Sequence, residues 1–279
     1  MSFIDFLKAL LFGIVEGVTE WLPVSSTGHM IILEKLLDVQ NIYGKDFWDM
    51  FLVVIQLGAI LAVILCFFKK LWPFGKEKTR EEKTRTWHMW FKVLVACLPA
   101  AIIGLLFDDV LNKYLYNPLT VSIMLIIYGV LFIVIEIFNK KREFKVNDVK
   151  DLTYKTALII GLMQLLALIP GTSRSGVTIL GAMLIGCSRS VSAEFSFFLS
   201  IPVMLGASLL KGVKFFMNNS INLNQGMFLL VGTVIAFVTS ILIIKFLMSF
   251  IKKHDFKPFG VYRIILGILL IILFATKVI

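Results

Sequence analysis

Six stretches of this sequence stay apolar long enough to cross a bilayer, at about Phe47 to Phe68, Trp90 to Phe107, Leu119 to Phe138, Glu194 to Phe216, Met227 to Phe250 and Gly260 to Lys277. A hydrocarbon core of about 30 Å takes roughly 20 residues of helix, and inside it every backbone N–H and C=O must be bonded within the protein. The runs therefore predict an all-α integral membrane protein. An apolar content of 58%, against about 45–50% in soluble domains, agrees. The net charge of +10 does not point to nucleic acid. Its basic residues cluster between apolar runs, no basic stripe carries interleaved aromatics, and the positive-inside rule accounts for them. Cys66, Cys97 and Cys187, odd in number and set in apolar segments, read as small core residues, neither a disulfide framework nor a metal site.

One segment breaks this pattern. From Glu16 to Met30 the chain reads EGVTEWLPVSSTGHM, strongly polar within a hydrophobic protein. Glu16 and Glu20 are spaced i,i+4 and share a helix face. Pro23 restricts Leu22 and removes a donor, so the first helix, begun near Phe3, stops near Trp21. Ser25, Ser26, Thr27 and Gly28 follow as a turn that can cap a second helix over about Thr27 to Leu37. That helix covers only roughly 17 Å at 1.5 Å per residue, too short to cross, so the pair reads as a re-entrant hairpin. Its tip offers free N–H groups and the positive end of a helix dipole to an anion, for which a phosphate is the natural candidate.

After a basic linker from Asn139 to Lys155 the pattern recurs, with a helix near Thr156 to Ile169, a turn PGTSRSG from Pro170 to Gly176 and a short helix to about Gly186. An offset of 148 residues places Gly13 on Gly161, Ser25 on Ser173, Thr27 on Ser175, Gly28 on Gly176, and Leu57, Gly58 and Ala59 on Leu205, Gly206 and Ala207. The chain thus reads as a single membrane domain, residues 1–279, made by internal duplication: repeat 1 over about 1–138, linker 139–155, repeat 2 over about 156–279. Each repeat holds one hairpin and three spans, and an odd number of crossings sends the second hairpin in from the opposite side, an inverted-topology repeat. Lys69, Lys70, Lys76, Lys78, Arg80, Lys83 and Arg85 share a side with Lys140, Lys141, Arg142, Lys145 and Lys150 and with Lys252, Lys253 and Lys257. The other side has little beyond Lys35, Lys45 and Lys113, so the basic side is expected to be cytoplasmic. The Glu16 hairpin then enters from outside, the Arg174 hairpin from inside, and the tips meet near the middle of the bilayer.

The tips differ in chemistry, because the offset pairs Glu16 with Gln164, Glu20 with Leu168, Ser26 with Arg174 and His29 with Val177. The second tip brings Arg174 with Thr172, Ser173 and Ser175 between Gly171 and Gly176, and an arginine fork with backbone N–H groups suits phosphate oxygens. Ser26 with His29 three residues on suits a nucleophile and its proton-transfer partner, with Glu20 the alternative base and water the alternative nucleophile. Glu16 and Glu20, shielded from water, repel each other, so either one holds a proton or a cation lies between them. A divalent cation, Mg²⁺ or Ca²⁺, bridging to phosphate oxygens is the economical choice. Each feature has a bland counterpart: the carboxylates as ion-pair partners of Arg174, the hydroxyls as helix caps, His29 as a satisfied interior histidine. Acidic residues at the bilayer centre cost about 2.5–3.5 kcal/mol on insertion scales, however, and mark function. His88 and His254 flank basic loops and read as solvated, and Asp108 and Asp109 lie at a span end and read as loop-exposed.

These residues carry a resemblance. EGVTEWLPVSSTGH and PGTSRSG resemble the two signature segments of bacterial undecaprenyl-diphosphate phosphatases of the bacitracin-resistance type, and the likeness extends over essentially the whole chain in length, duplication and motif spacing. It implies an enzyme of the bacterial plasma membrane, its site open to the outer face, that removes the terminal phosphate of the lipid diphosphate and so regenerates the carrier of cell-wall synthesis. It also implies metal assistance, with Glu16, Glu20, Ser26, His29 and Arg174 as the catalytic set and Thr27, Ser173 and Thr178 around the diphosphate. The candidate binding residues are then Ser25, Thr27, Gly28, Gly171, Thr172, Ser173, Ser175, Gly176 and Thr178, and the partners are a polyprenyl diphosphate and membrane lipids; a homodimer stays open. The alternative is a transporter or flippase for a lipid phosphate, since inverted repeats with broken helices meeting at the midplane serve carriers. The unequal tips favour the enzyme, because a carrier needs only a binding site.

Overall fold

In the computed structural model, residues 1–115, 117–140 and 142–276 are described, the side chains of residues 108–113 excepted; the expectations for Asp108, Asp109, Lys113, Lys141 and Lys277 lie outside the described residues. The chain is all-helical. In order it forms α1 (Phe3–Thr19), α2 (Ser26–Leu37), α3 (Val39–Tyr43), α4 (Lys45–Cys66), α5 (Phe68–Leu71), α6 (Arg80–Leu115), α7 (Pro118–Asn139), α8 (Tyr154–Gln164), α9 (Arg174–Leu184), α10 (Arg189–Asn218), α11 (Leu223–Phe250) and α12 (Lys257–Ala275). Among the described residues six helices are long and apolar enough to cross a membrane: α4, α6 over Arg80–Phe107, α7, α10, α11 and α12. They are the six expected, in the expected order.

All six start before the apolar runs do, and α6, α10 and α11 start earliest relative to them because caps lie in the polar flanks. Thr79 Oγ1 accepts from Glu82 N (3.2 Å) while Glu82 Oε2 accepts from Thr79 N (2.8 Å), a capping box that begins α6 at Arg80 instead of Trp90. Asn222 and Gln225 form the same reciprocal pair before α11, and Ser188 Oγ accepts from Val191 N (3.4 Å) ahead of α10. The helix expected to reach Ile169 stops instead at Gln164, and Leu165–Leu168 tighten into a 3₁₀ turn. Pro170 forces extended backbone on Ile169 (φ −83°, ψ 117°), which a continuing helix cannot accommodate.

Hydrogen bonds between loops define two ends of the bundle. At one end Met1 N donates to Asn224 Oδ1 (2.5 Å), Gln225 Nε2 to the Tyr43 carbonyl (3.2 Å) and Asn219 Nδ2 to Asp46 Oδ2 (3.4 Å). At the other, Lys70 Nζ reaches both carboxylate oxygens of Glu194 (2.7 Å each), Lys92 Nζ the carbonyl of Lys150 (2.9 Å), and Ser188 N the carbonyl of Val146 (2.9 Å). The α1–α2 pair therefore begins and ends at the first end, and the α8–α9 pair at the second. Between them α1 packs on α11, α8 on α6, α4 on α10 and α11, and α7 on α12. Where α7 and α12 cross, Gly129 meets Gly260, and a Cβ on either would lie 2.7 Å from the other's carbonyl oxygen. Only hydrogen at both positions lets the helices approach this closely.

Glu136, 1% exposed on α7, locks α7, α10 and the start of α12. Its oxygens accept from Arg189 Nε (2.8 Å), Arg189 Nη2 (2.5 Å) and Phe256 N (3.0 Å). Removing one partner of a buried pair strands the other charge, at about 3–5 kcal/mol. Arg189→Ala is therefore expected to lower unfolding free energy in detergent by about that amount, and replacing Glu136 and Arg189 together by leucine to cost clearly less.

Candidate active site

The two turns are built alike. Glu20 ends α1, its N–H still bonded to the Glu16 carbonyl (3.0 Å), and after Pro23 the chain reaches Ser25 at φ 72°, ψ 101°, from which α2 starts at Ser26. In the second turn Gly171 takes φ 89°, Ser173 φ 71°, ψ 118°, and α9 starts at Arg174. Ser25 and Ser173, one offset apart in sequence, thus share a positive-φ conformation that non-glycine residues seldom adopt and that surrounding structure must hold. Their side chains diverge. Ser173 Oγ caps its helix by accepting from Gly176 N (3.1 Å), whereas Ser25 Oγ is buried without a partner.

The turns meet at Glu20. Its Oε1 accepts from Arg174 Nη2 (2.8 Å), its Oε2 from Ser26 Oγ (3.0 Å) and its backbone carbonyl from Ser175 Oγ (3.0 Å). Arg174 is aimed by more than this pair. Nη1 donates to the Ser196 carbonyl (2.8 Å), Nη2 also approaches Met204 Sδ (3.3 Å), and the guanidinium lies 5.8 Å from the Trp21 ring centroid. Thr178 supports it from behind, with Oγ1 bonded to the Arg174 carbonyl (2.8 Å) and to Ser196 Oγ (2.7 Å).

His29 is placed differently from what its spacing to Ser26 predicts. Nδ1 bonds the Ser25 carbonyl (2.8 Å) and Nε2 the Tyr262 hydroxyl (2.7 Å), with the two rings stacked at 5.6 Å and 4°. A carbonyl only accepts, so Nδ1 carries the hydrogen and, in the neutral ring, Nε2 accepts from Tyr262. The hydroxyl of Ser26 turns to Glu20, and the imidazole secures the strained Ser25 backbone. Tyr262 and its neighbour Arg263 are site residues that the sequence reading passed over as part of the last span; an arginine inside an apolar run was the signal that marks them. Gln164, the counterpart of Glu16 at the 148-residue offset, is 1% exposed with both amide atoms unpartnered among the described residues.

Gly171 is needed for packing, since a Cβ there would meet the Val121 backbone at 2.5 Å, whereas at Gly28 a Cβ would meet Leu125 Cδ1 at 3.1 Å and that side chain would have to shift. Gly176 lies 3.2 Å from Arg263 Nη1 by the same measure. Thr27, half-buried on the first turn of α2, has no side-chain hydrogen bond among the described residues. Buried polar atoms are nearly always partnered, yet at these turns Glu16 Oε1, Ser25 Oγ, Thr172 Oγ1 and Arg174 Nε have no partner among the described residues. They are the acceptors and donors that a polar ligand would satisfy.

Residues 9–269 match the family described as "Bacitracin resistance protein BacA". The chain belongs to that family. Curated members named undecaprenyl-diphosphatase are similar over their whole length: one from Enterococcus faecalis is 57% identical over 97% of this chain and 98% of its own, one from Desulfitobacterium hafniense 54% over 100% and 99%, and one from Streptococcus thermophilus 53% over 99% and 96%. For this family member, Tyr262→Phe keeps the ring stack and removes one hydrogen bond, worth about 1 kcal/mol net. The expected result is a roughly five- to tenfold loss of kcat with KM little changed, read from steady-state phosphate release.

Proposed function

We propose that the chain is an undecaprenyl-diphosphate phosphatase of the bacterial plasma membrane, and that Ser26, Glu20 and Arg174 are its reacting set. The observation that carries this is the convergence of a hydroxyl and a guanidinium on one carboxylate between two helix N-termini. The names of the relatives supply the substrate. Arg174, with Nε unpartnered and its other nitrogens anchored, takes the terminal phosphate together with the free N–H groups that open α2 and α9. Drawing Arg174 toward phosphate loosens its hold on Glu20, which is then free to accept the Ser26 proton. Ser26 Oγ forms a bond to the terminal phosphorus as the bridging P–O bond breaks and lipid monophosphate departs. Water then attacks the phosphoserine, releases inorganic phosphate and returns the proton to Ser26. Fixed donors stabilise the charge that develops on the phosphoryl oxygens. His29 and Tyr262 hold the first turn, so Glu20, not His29, is the base this geometry favours.

The residues fit a divalent cation. Glu16 Oε1, buried and unbonded one helical turn from Glu20, is an oxygen donor of the kind a hard ion takes. Mg²⁺ or Ca²⁺, which take oxygen ligands, are the ions this carboxylate pair would take. Glu16 and Glu20 would hold such an ion, which would supply charge neutralisation to the diphosphate.

The architecture we propose is an inverted repeat of residues 1–138 and 156–279 around the 139–155 linker, with the two hairpins re-entrant from opposite faces. Packing supports it: α1 lies on α11 as α8 lies on α6, and α2 touches α12 as α9 touches α7, exchanges expected of a two-fold relation. At the corresponding positions Gly13 and Gly161, a Cβ would strike the backbone of α11 and α6. Orientation is supported by the meeting of the three basic segments around one cavity of about 390 Å³, where Lys70, Asn147 and Lys252 line the wall.

Two experiments test these readings. Purified protein is expected to release phosphate from undecaprenyl diphosphate, to stop in chelator and to recover with Mg²⁺ or Ca²⁺. Ser26→Ala is expected to lose orders of magnitude in rate, and acid quench with terminally labelled substrate to trap phosphate on Ser26. Intact diphosphate carried across vesicles would mark a transporter, and near-normal turnover by Ser26→Ala would leave water as the nucleophile. For topology, single cysteines at Asn41 and Asn222, with Cys66, Cys97 and Cys187 replaced, are expected to react with an impermeant thiol reagent in intact cells. Those at Thr79 and Asn147 are expected not to react, and labelling of Thr79 together with Asn41 would overturn the inverted repeat.

A further inference from the structure

Arg263 is a cation sealed inside the protein, 0% exposed on α12, and no carboxylate is among its partners. Burying a guanidinium costs several kcal/mol even after relaxation, so its bonds show what it holds. Nη1 donates to the Pro23 carbonyl (3.1 Å), Nη2 to the carbonyls of Gly171 (2.8 Å) and Thr172 (2.9 Å), and Nε to the Leu125 carbonyl (3.4 Å). The Tyr128 ring centroid lies 5.7 Å away. Pro23 sits just before Ser25, and Gly171 and Thr172 just before Ser173. One planar group therefore grips both turns immediately upstream of their two positive-φ serines. The residues that follow those serines are Ser26 and Arg174, the pair that meets on Glu20.

We propose that Arg263 is the positioning residue of this site: its rigid fork sets the distance between the two turns and so the placement of Ser26 against Arg174. The inference rests on the proposed reacting set. The fork matters more than the charge, because carbonyl dipoles already surround the guanidinium and a lysine's single ammonium cannot span carbonyls on both turns. A displacement of about 1 Å in such a constellation costs on the order of 100-fold in rate.

The test is a double-mutant cycle on the full-length protein in detergent, with undecaprenyl diphosphate as substrate and Arg263→Lys and Arg174→Lys as the two changes. Arg263→Lys is expected to lower kcat about 100-fold, with KM and the thermal unfolding midpoint close to wild type. In the Arg174→Lys background the same change is expected to cost less than about threefold, because the placement it destroys is already useless. Wild-type turnover by Arg263→Lys, fully multiplicative losses, or a loss that follows a fallen unfolding midpoint would each overturn the proposal. Wild-type turnover by Arg174→Lys alone would instead overturn the reacting set. If Arg263→Lys yields no folded protein, the cycle is run with Arg263→Gln, which keeps two N–H donors; failure of both to fold makes Arg263 a folding element and ends the positioning role.

Discussion

Everything in this molecule bends toward one carboxylate. Glu20 is 7% exposed and receives a guanidinium on one oxygen, a hydroxyl on the other and a second hydroxyl on its backbone carbonyl. In a low-dielectric interior each of these bonds is strong when made and costly when absent, so the two turns cannot part without stranding a charge. Neither turn can reach that point on a helix that crosses completely. In the re-entrant arrangement we propose each stops midway, and Pro23 and Pro170 are where the chain stops.

Stopping midway creates the opening for a ligand. A helix that ends or begins inside a bundle leaves backbone donors unpaired, and here α2 and α9 both begin where α1 and the 3₁₀ turn before Pro170 end. The surrounding helices keep these ends from collapsing onto one another. The glycine contact of α7 with α12 brings Arg263 between the turns, and the Glu136–Arg189 pair ties α10, which supplies the Ser196 carbonyl, to α7. Rigidity of this kind is what electrostatic catalysis requires, since donors that are already fixed need not reorganise when charge develops.

Much of this was legible in the residues. The spans follow from apolar run length, and the two turns follow from proline, glycine and hydroxyl residues set where a helix must break. What the runs hide is any polar group that does not interrupt them. Tyr262 and Arg263 lie near the start of an otherwise apolar helix, and their partners belong to turns far away in sequence. The early starts of α6, α10 and α11 were missed for the opposite reason: their caps lie in charged or polar flanks, outside the hydrophobic pattern. His29 shows the limit of spacing itself. Three residues separate it from Ser26, but a ring nitrogen already committed to the Ser25 carbonyl faces elsewhere.

The proposed duplication makes one further point about asymmetry. Ser26 and Arg174 occupy the same position of the repeat, the first residue of a helix after a serine at φ near 70°. A strict two-fold arrangement would direct two like side chains at each other. Two serines would offer no phosphate clamp and two arginines would repel. Changing one copy to arginine and keeping a carboxylate in only one, Glu20 against Leu168, lets both equivalent positions address the same group from opposite sides. The backbone could stay symmetric because both side chains need the same thing from it, a helix start aimed at the centre. The chemistry of the proposed reaction could not, since attacking a phosphate and holding it require opposite character in the two groups.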